Sequence, residues 1–529
     1  MNNISIRGEL FQEGLFFETG LEGSFWYERH LDFDACILEN FLDDVPEYYF
    51  FHRSLLKYNI QTKKYIYGGE LSFSWDNPGF QEFVFQSSRG SKAGGNHDPI
   101  IIVGNENFTA ENGVTGGSGT ENDPFIIENW VIVGNGSVKT GIFISNTTAA
   151  FVIRNCTISN FSGEDYIAIH LYNVTAGRIE NVETFKNYDG IAIRQSSFIN
   201  VENCVCHDNY GVFATGIYVF RSHHIIINDC EVYRMRCSMT QIAACGIRLW
   251  GASYCIIKNS SCYLNSGFGI ELGLWEMEFP VQYNVIENCT IYKNSLGGIE
   301  LFMIYLYWYE IKDDVNRGYN RISDCVVYDN GHVPIPGMST AGSGIYLWNI
   351  DDTVVEDCVI YENGVGMTIL DSCNNLVSNC TLYGHWMPAY YGEGIDIFDS
   401  WTKVIKNNTI EHCDIFDQGV GIQCSGGYQT IIRSNNIYNH ALYGLELSKW
   451  FGIAATGVVQ GNNIYNNSEG NRFDRLTFFD ARDNWWGSPL GPSRFLGLRG
   501  DVIWIRLGFA VCLRFPWATK PFVDAGVMS

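Results

Sequence analysis

The chain has 529 residues, of which 46% are hydrophobic and 17% are charged, so it can bury a large core and lacks the composition of a disordered protein. Its formal net charge of −24 would repel a phosphate backbone, and no cluster of lysines and arginines offsets this field, which excludes nucleic acid as a partner. No uncharged apolar run is long enough to cross a bilayer, so we expect no transmembrane segment.

Residues 1–97 contain no repeated pattern and are dense in aromatic side chains, as in the segments that begin at Tyr48 and Phe83. We predict that they form an N-terminal cap or a small aromatic-rich domain. The charged residues Arg7, Glu9 and Glu13 interrupt the first stretch of the chain, so no signal peptide is visible in this sequence.

From residue 98 onward, a glycine followed by alternating apolar residues recurs along most of the chain. Most repeats start roughly 22 to 30 residues apart, a period typical of a solenoid. The repeats begin at Gly141, Gly190, Gly216, Gly246, Gly269, Gly298, Gly344, Gly366, Gly394, Gly421 and Gly444, and Tyr166 to His170 fill the place between the first two.

Each repeat contains a second signature, in which an Asn or Asp precedes a Cys between apolar residues. Two short strands per repeat cannot bury their apolar faces alone, and stacking the repeats into long parallel sheets solves this problem. The sequence therefore predicts an all-β protein, a right-handed parallel β-helix of about twelve coils at residues 98–480, followed by a C-terminal capping segment at residues 481–529.

Seven cysteines occupy one position of the repeat and should form an inward-facing stack, namely Cys156, Cys204, Cys230, Cys289, Cys325, Cys358 and Cys380. Because free cysteine behaves as a small buried apolar residue, we expect this stack to be reduced and to serve packing. Metal binding by the stack is disfavoured, since CxxC spacing and companion histidines are absent. In the last coils we expect Asn408, Asn435 and Asn462 to replace the cysteines.

In each Gly-Ile-x-Ile-x repeat the apolar residues should point inward, so the two x positions should form columns on one exposed sheet face. The first column contains Tyr218, Arg248, Glu271, Glu300, Tyr346, Thr368, Asp396, Gln423 and Glu446. The second column contains Phe220, Trp250, Gly273, Phe302, Trp348, Leu370, Phe398, Ser425 and Ser448.

Glu271 and Glu300 should be neighbours on successive coils, with Arg248 on the coil before them. Two like charges so close raise the pKa of one carboxyl, which makes Glu271, Glu300 and Arg248 candidate catalytic residues. Two other interpretations stay open. The face could be simply solvated, with its charges balanced by Arg248 or a bound cation, or it could bind a polymer.

Aromatic side chains on the same face favour polymer binding, because a flat apolar ring gives a sugar ring a surface on which to lie. The candidate ligand-binding residues are Trp250, Phe302, Tyr346, Trp348, Asp396 and Phe398. Four aromatic-rich insertions, which begin at Gly273, Met303, Gly331 and Gly384, fall in the same coils. Inserted loops of a solenoid often build its binding face.

Three parts of the chain resemble the parallel β-helix repeat proteins of the NosD-like and archaeal surface-protein group, whose fold is related to that of pectate lyases. They are the segment NENFTAENGVTGGSGTENDPFIIENWVI from Asn105, the Gly-Ile and Asn-Cys repeats, and the segment DNWWGSPLGPS from Asp483. The resemblance implies a carbohydrate-binding or sugar-processing module that is extracellular or on the cell surface. The sequence departs from polygalacturonases and alginate epimerases, because it lacks the Asn-Thr-Asp, Gly-His-Gly and Asp-Pro-His motifs.

We therefore expect a polysaccharide-binding β-helix, a surface or structural module that holds an extended glycan on one sheet face. Two alternatives are a polysaccharide lyase or glycoside hydrolase that uses Glu271 and Glu300 with Arg248, and a protein-interaction spike or fibre. The sequence predicts no metal site and names no cofactor, and Ca²⁺ stays open without a motif that indicates it. The sequence specifies neither the glycan nor the oligomeric state.

Overall fold

The computed structural model describes five strands between residues 6 and 67, and then residues 95–237, 244–274, 279–303, 317–331, 342–387, 390–398, 405–449, 455–474, 477–492, 501, 503–505, 511–513 and 517–527. Regular structure in these ranges is β-strand, apart from two single-turn 3-10 helices, Asn105–Asn107 and Ala110–Asn112.

The N-terminal strands form a sheet of their own, in which most neighbours are antiparallel. They are Ile6–Phe11, Gly14–Thr19, Gly23–Trp26, Leu56–Asn59 and Lys64–Tyr67. Their topology therefore differs from that of the parallel sheets that follow. The assignment of residues 1–97 to a cap or small domain stays a prediction.

Residues from Ile100 onward build three long sheets, and we name them I, II and III in the order in which each coil visits them. The fifteen strands of sheet I are Ile100–Val103, Thr140–Thr147, Ile167–Val174, Asp189–Arg194, Thr215–Phe220, Cys245–Trp250, Phe268–Leu274, Gly297–Met303, Ser343–Trp348, Val365–Leu370, Glu393–Phe398, Val420–Ser425, Tyr443–Ser448, Gly470–Phe473 and Ile503–Ile505.

Sheet II follows sheet I in each coil, and its neighbours are parallel except for the first pair. Its sixteen strands are Val114–Gly116, Phe125–Glu128, Phe151–Arg154, Gly177–Glu180, Ser197–Glu202, His223–Asn228, Ile256–Lys258, Val285–Glu287, Arg321–Ser323, Val354–Glu356, Leu376–Ser378, Thr409–Glu411, Thr430–Arg433, Thr456–Gln460, Phe478–Asp480 and Val511–Leu513.

Sheet III completes each coil with strands of three residues. Its thirteen strands are Val131–Val133, Thr157–Ser159, Glu183–Phe185, Val205–His207, Glu231–Tyr233, Ser261–Tyr263, Thr290–Tyr292, Val326–Tyr328, Val359–Tyr361, Thr381–Tyr383, Asp414–Phe416, Asn436–Tyr438 and Asn463–Tyr465. Three short pairs lie outside the sheets, namely Tyr210–Gly211 with Arg236–Cys237, Val281–Gln282 with Arg317–Gly318, and Trp386–Met387 with Tyr390–Tyr391. The prediction of a parallel β-helix is confirmed.

The core lies between the three sheets and consists of apolar side chains that repeat from coil to coil. On sheet I, for example, Ile142 pairs with Ile169, which pairs with Ile191, and all three are fully buried. Successive strands of a sheet lie about 4.8 Å apart, so equivalent side chains contact one another along the whole solenoid. The alternation of the repeat therefore sets both the register and the inward face.

The recurring glycine lies where each coil enters sheet I, and steric contact explains why it has no side chain. A Cβ atom on Gly366 would lie 2.3 Å from the carbonyl oxygen of Gly394, and one on Gly394 would lie 2.5 Å from that of Gly421. The same close approach recurs at Gly216 and Gly246. A larger residue would push neighbouring coils apart, so the repeat requires glycine for close backbone contact.

The Asn or Asp of the second signature lies at the bend between sheets II and III. Asn155, Asn203, Asp229 and Asn288 all have left-handed backbone conformations, with φ between 50° and 54°. Asn and Asp adopt this conformation more readily than most residues with a Cβ atom. The bend turns the chain so that the next residue, the cysteine, points into the core.

Fifteen of the described cysteines are free and buried, and the predicted inward-facing position of the stack is confirmed. Each thiol of the stack donates to backbone carbonyl groups, as Cys325 does to Ser323 at 3.2 Å. Cys413 extends the stack, and the side-chain oxygen of Asn435 then accepts a hydrogen bond from the Cys413 N–H at 2.9 Å.

The prediction that Asn408 belongs to this stack is wrong, whereas the positions of Asn435 and Asn462 agree with it. Asn408 lies in a different buried stack, where its side-chain oxygen accepts from the Asn375 N–H at 3.0 Å. The signature of that coil is carried by Cys413, because Thr409–Glu411 pairs with Leu376–Ser378 in sheet II. Asn407 and Asn408 match the Asn-Cys signature in sequence, but they lie five residues before the true position at Cys413.

An aromatic ladder runs along the outer face of sheet III at the last residue of its strands. Its members are Phe185, His207, Tyr233, Tyr263, Tyr292, Tyr328, Tyr361, Tyr383, Phe416, Tyr438 and Tyr465. Neighbouring ring centroids are 4.8 to 5.2 Å apart, and neighbouring ring planes differ by at most 11°. The ladder therefore fixes the coils in register on the outside, as the core does within.

Candidate functional site

The two columns predicted on the outer face of sheet I are present with the expected register. Arg248 pairs with Glu271, Glu271 with Glu300, and Glu300 with Tyr346. In the second column, Trp250 pairs with Gly273, which pairs with Phe302, and Phe302 pairs with Trp348. The alternating pattern thus places the three candidate catalytic residues side by side on three successive coils.

The prediction that this face is exposed is wrong over the central coils. The exposed fractions are 3% for Arg248, 6% for Glu271, 3% for Glu300, 3% for Phe302, 4% for Tyr346 and 2% for Trp348. A second apolar cluster lies outside the core that the three sheets enclose. It consists of Cys245, Phe268, Leu296, Phe302, Tyr346, Trp348 and Leu370. Large side chains on adjacent strands pack against one another there, with ring centroids 6.3 Å apart for Phe302 and Trp348, and Tyr346 packs beside Trp348 on the same strand. Most of the four aromatic insertions lies outside the described residues.

Glu271 is the centre of a buried polar network. The Arg248 Nε and Nη2 atoms donate to its two oxygens at 2.9 and 3.1 Å, and the Trp250 Nε1 atom donates at 2.6 Å. Burial alone would raise the pKa of Glu271, but the Arg248 charge and these donors hold it below its usual value. Glu271 is therefore ionised at neutral pH.

Cys245 also belongs to this network, although the Gly-Ile-x-Ile-x pattern does not include it. Its thiol donates to Glu271 at 2.8 Å and accepts from the Arg248 Nη2 atom at 2.9 Å. Cys245 lies directly before Gly246, at a third outward position that the two-column pattern leaves out. Burial raises the pKa of the Cys245 thiol well above its usual value, so it stays protonated.

Glu300 has the opposite protonation state from its neighbour. Burial and the negative charge of Glu271 raise the pKa of Glu300 well above its usual value. Its Oε1 atom is buried and makes no hydrogen bond within the described part of the chain. The paired carboxyls are thus one acid and one base, as expected for two like groups held close together.

Asp396 and Phe398 lie three coils from Glu300, beyond Tyr346 and Thr368, a separation of about 14 Å along the sheet. Both are half-buried. The Gln423 side chain donates to Asp396 at 3.3 Å, and burial followed by the charge of Glu393 raises the pKa of Asp396 well above its usual value. The structure therefore does not bring these two residues together with the Glu271 network.

A pocket opens on the same face at the N-terminal side of Glu271, and we call it the sheet I pocket. It is lined by Asp165, Tyr188, Asp189, Arg194, Phe213, Thr215, Tyr218, Arg248 and Trp250. Tyr188, Phe213 and Trp250 are half-buried, so their rings contribute partly exposed walls. Arg248 and Trp250 belong both to this pocket and to the buried network.

Asp189 lies deep in the pocket and accepts a hydrogen bond from the Thr215 N–H at 2.8 Å. Burial raises the pKa of Asp189 to about 7, against the opposing effect of Arg194. Asp189 could not be identified from the Gly-Ile-x-Ile-x pattern, because it lies directly before Gly190, in the same outward position as Cys245.

No group of three or more His, Cys, Asp or Glu side chains is placed to hold a metal ion within the described ranges. The part of the chain that the structure covers contains no helix long and apolar enough to span a membrane.

Comparisons with known proteins agree with this architecture. The family described as a right-handed beta helix region matches residues 91–236, 140–300, 235–343, 282–400 and 343–484. The chain belongs to this family. None of the curated proteins matches it.

Several solved β-helix structures are similar to this family member. The periplasmic alginate epimerase AlgG is 10% identical, with 67% of this chain and 85% of that chain covered and a TM-score of 0.42. The mannuronan C-5 epimerase AlgE4 A-module of Azotobacter vinelandii is 13% identical, with 64% and 89% covered and a TM-score of 0.35. Pectate lyase Pel9A is 16% identical, with 70% and 80% covered and a TM-score of 0.33. The activities in these names are those of the named proteins.

Proposed function

We propose that this β-helix binds an extended polysaccharide along the outer face of sheet I, with the sheet I pocket as its main contact. The observation that carries this proposal is the composition of the pocket, which combines aromatic walls with polar groups. Tyr188, Phe213 and Trp250 offer apolar rings, while Asp189 and Arg194 offer an acceptor and donors. Sugars require both, because their ring faces are apolar and their edges carry hydroxyl groups.

The shape of the molecule supports a polymeric ligand. Sheet I contains fifteen strands, so its outer face extends over roughly 65 Å along the solenoid. A chain of sugars bound in the pocket could continue along neighbouring coils. An extracellular or cell-surface location suits such a ligand and is part of the same proposal.

The test is a glycan array with the full chain, followed by titration of the best glycan against variants of Trp250. Trp250→Ala should weaken binding by about 1 to 3 kcal/mol, because it removes a ring from the pocket wall. Trp250→Phe keeps a flat ring and should bind nearly as the native protein does. Tyr319→Ala serves as the control, since Tyr319 is 55% exposed but lies outside sheet I. Equal losses for Trp250→Ala and Tyr319→Ala would contradict the placement of the site.

Cleavage of the bound glycan is a second candidate, favoured by the opposite protonation states of Glu271 and Glu300. Both carboxyls are buried, however, and Glu271 is already saturated by donors, which favours binding over catalysis. Product analysis separates the two functions. A glycan product that disappears in Glu300→Gln, with binding retained, would establish this carboxyl as catalytic. Binding without any product would leave the protein as a binding module.

A further inference from the structure

Arg194 differs from most of the arginines described on the outer surface of the solenoid, because it forms no ion pair within the described ranges. Arg154, Arg178, Arg234, Arg321, Arg433, Arg472 and Arg482 each form an ion pair with a carboxylate at 2.5 to 3.3 Å. This is expected in a chain with 58 acidic and 34 basic residues. Arg194 makes no such pair within the described residues, and its Nε atom is buried without a hydrogen-bond partner.

The surroundings of Arg194 hold its guanidinium at the pocket wall. The group lies over the ring of Tyr218, 5.4 Å from the ring centroid, which orients its plane without using its N–H donors. A buried guanidinium donor without a partner is costly, and in a pocket it marks the place where a ligand acceptor would be most stabilising.

The carboxyl groups of the pocket do not occupy this position. Asp189 lies on the same strand, but its oxygen accepts from the Thr215 N–H, and no oxygen of Asp189 comes within ion-pair distance of Arg194. Asp165 is a half-buried residue of the lining, where solvent screens its charge. The charge of Arg248 is already matched by Glu271. Arg194 is therefore the pocket's cation with free donors.

We propose that the sheet I pocket is a subsite for an acidic sugar residue, whose anionic group pairs with the guanidinium of Arg194. The inference rests on the proposed polysaccharide-binding function and names the class of glycan. The planar fork of an arginine matches the two oxygens of a carboxylate, and it also pairs with a sulfate ester. Tyr188 and Thr215 line the pocket close by and carry hydroxyl groups that suit the hydroxyls of the same sugar.

The experiment titrates the full chain with pairs of oligosaccharides that differ only in the acidic group. Oligogalacturonate, oligomannuronate and oligoglucuronate are each compared with their carboxyl-reduced neutral counterparts, and a sulfated galactan oligosaccharide is compared with its desulfated form. At least one acidic member should bind 10-fold or more tightly than its neutral partner, and added salt should reduce the difference. The carboxylated and sulfated pairs distinguish the two sources of the anion.

Arg194→Ala should remove the preference for the acidic member, and Arg194→Lys should retain only part of it. Arg178→Ala is the matched control, because Arg178 lies on the neighbouring coil but on the outer face of sheet II, and it should change nothing. A melting curve on each variant checks folding. An acidic preference that survives in Arg194→Ala would overturn the assignment of Arg194.

Failure of this subsite differs from failure of the proposed function. Equal binding of acidic and neutral members, reduced by Trp250→Ala, would refute the acidic subsite and leave polysaccharide binding in place. No binding by any of these oligosaccharides or by the glycan array would count against both.

Discussion

The outer faces of sheets I and III are built by the same coils, yet they differ in what repeats along them. In sheet III the last residue of each strand is aromatic for eleven successive coils, and its rings stack almost in parallel. In sheet I the equivalent outward columns change residue type at almost every coil, from Tyr218 to Arg248 to Glu271. In a uniform column, each side chain packs against the same kind of side chain on the next coil. In a varied column, neighbouring side chains differ and create local sites.

Within sheet I the varied columns divide into a packed part and an open part. Trp348, Tyr346 and Phe302 are buried against one another, while the pocket around Asp189 and Arg194 has partly exposed walls. Residue type alone does not distinguish the two parts, since both contain aromatic and charged side chains. The difference teaches that an outward-facing residue of a solenoid is available to a ligand only where nothing packs over it.

The largest expected effect is on the packed part of sheet I. Trp348→Ala should lower the free energy of unfolding by about 3 to 5 kcal/mol, because it removes a large ring that is 2% exposed and in contact with Tyr346 and Phe302. Chemical denaturation monitored by circular dichroism measures the loss. Phe398→Ala is the control, since Phe398 occupies the same column but is half-buried, and its loss should be smaller. An unchanged midpoint for Trp348→Ala would mean that this part of the face is open after all.

In the pocket, a substitution of Asp189 should change the free energy of unfolding by an amount that depends on pH. The pKa of Asp189 is raised to about 7 in the folded chain and is about 3.9 in an unfolded one, so the native state holds this proton more tightly. The stabilisation from the protonated carboxyl is present below pH 4 and is lost as the pH rises through 7. Asp189→Asn stays neutral and can still accept the Thr215 N–H. The variant should therefore gain on the order of 4 kcal/mol over the native chain at pH 8, from about 1.4 kcal/mol for each of about three pKa units, and little at pH 4.

The groups that face Asp189 set the size of this effect. Arg194 and Arg248 favour its ionised form, and Asp165 disfavours it, so the observed pKa is the balance of these charges with burial. Comparing denaturation midpoints of the native chain and Asp189→Asn from pH 4 to pH 8 isolates the contribution of this one group from that of other carboxyls. A difference between the two proteins that does not vary with pH would show that Asp189 is ionised throughout.

Sequence patterns were sufficient for the register but not for burial. The pairing of Glu271 with Glu300 could be predicted because strands in a solenoid align equivalent positions of the repeat, and the glycine marks that position in each coil. The burial of the same residues depends on what covers the sheet, and the repeat contains no information about that. Asp189 and Cys245 escape prediction for a simpler reason, since they precede the glycine with which the repeat pattern begins.

Sheet III should show the smallest and most local effect. Tyr361 stacks between Tyr328 and Tyr383, with ring centroids 4.9 and 5.1 Å apart. Tyr361→Ala should lower the free energy of unfolding by about 1 kcal/mol, the typical value of an aromatic contact, while Tyr361→Phe keeps both contacts and should be nearly neutral.

The loss should stay small because the stability of a solenoid is approximately a sum of contacts between neighbouring coils, and one gap interrupts only two of them. Glycan binding should be the same in Tyr361→Ala as in the native chain, since the ladder and the sheet I pocket lie on different sheets. Denaturation and glycan titration on the same preparations measure both quantities. If Tyr361→Ala weakened glycan binding as strongly as Trp250→Ala, the aromatic ladder would be part of the binding surface. The uniform column of sheet III would then not differ in function from the varied columns of sheet I.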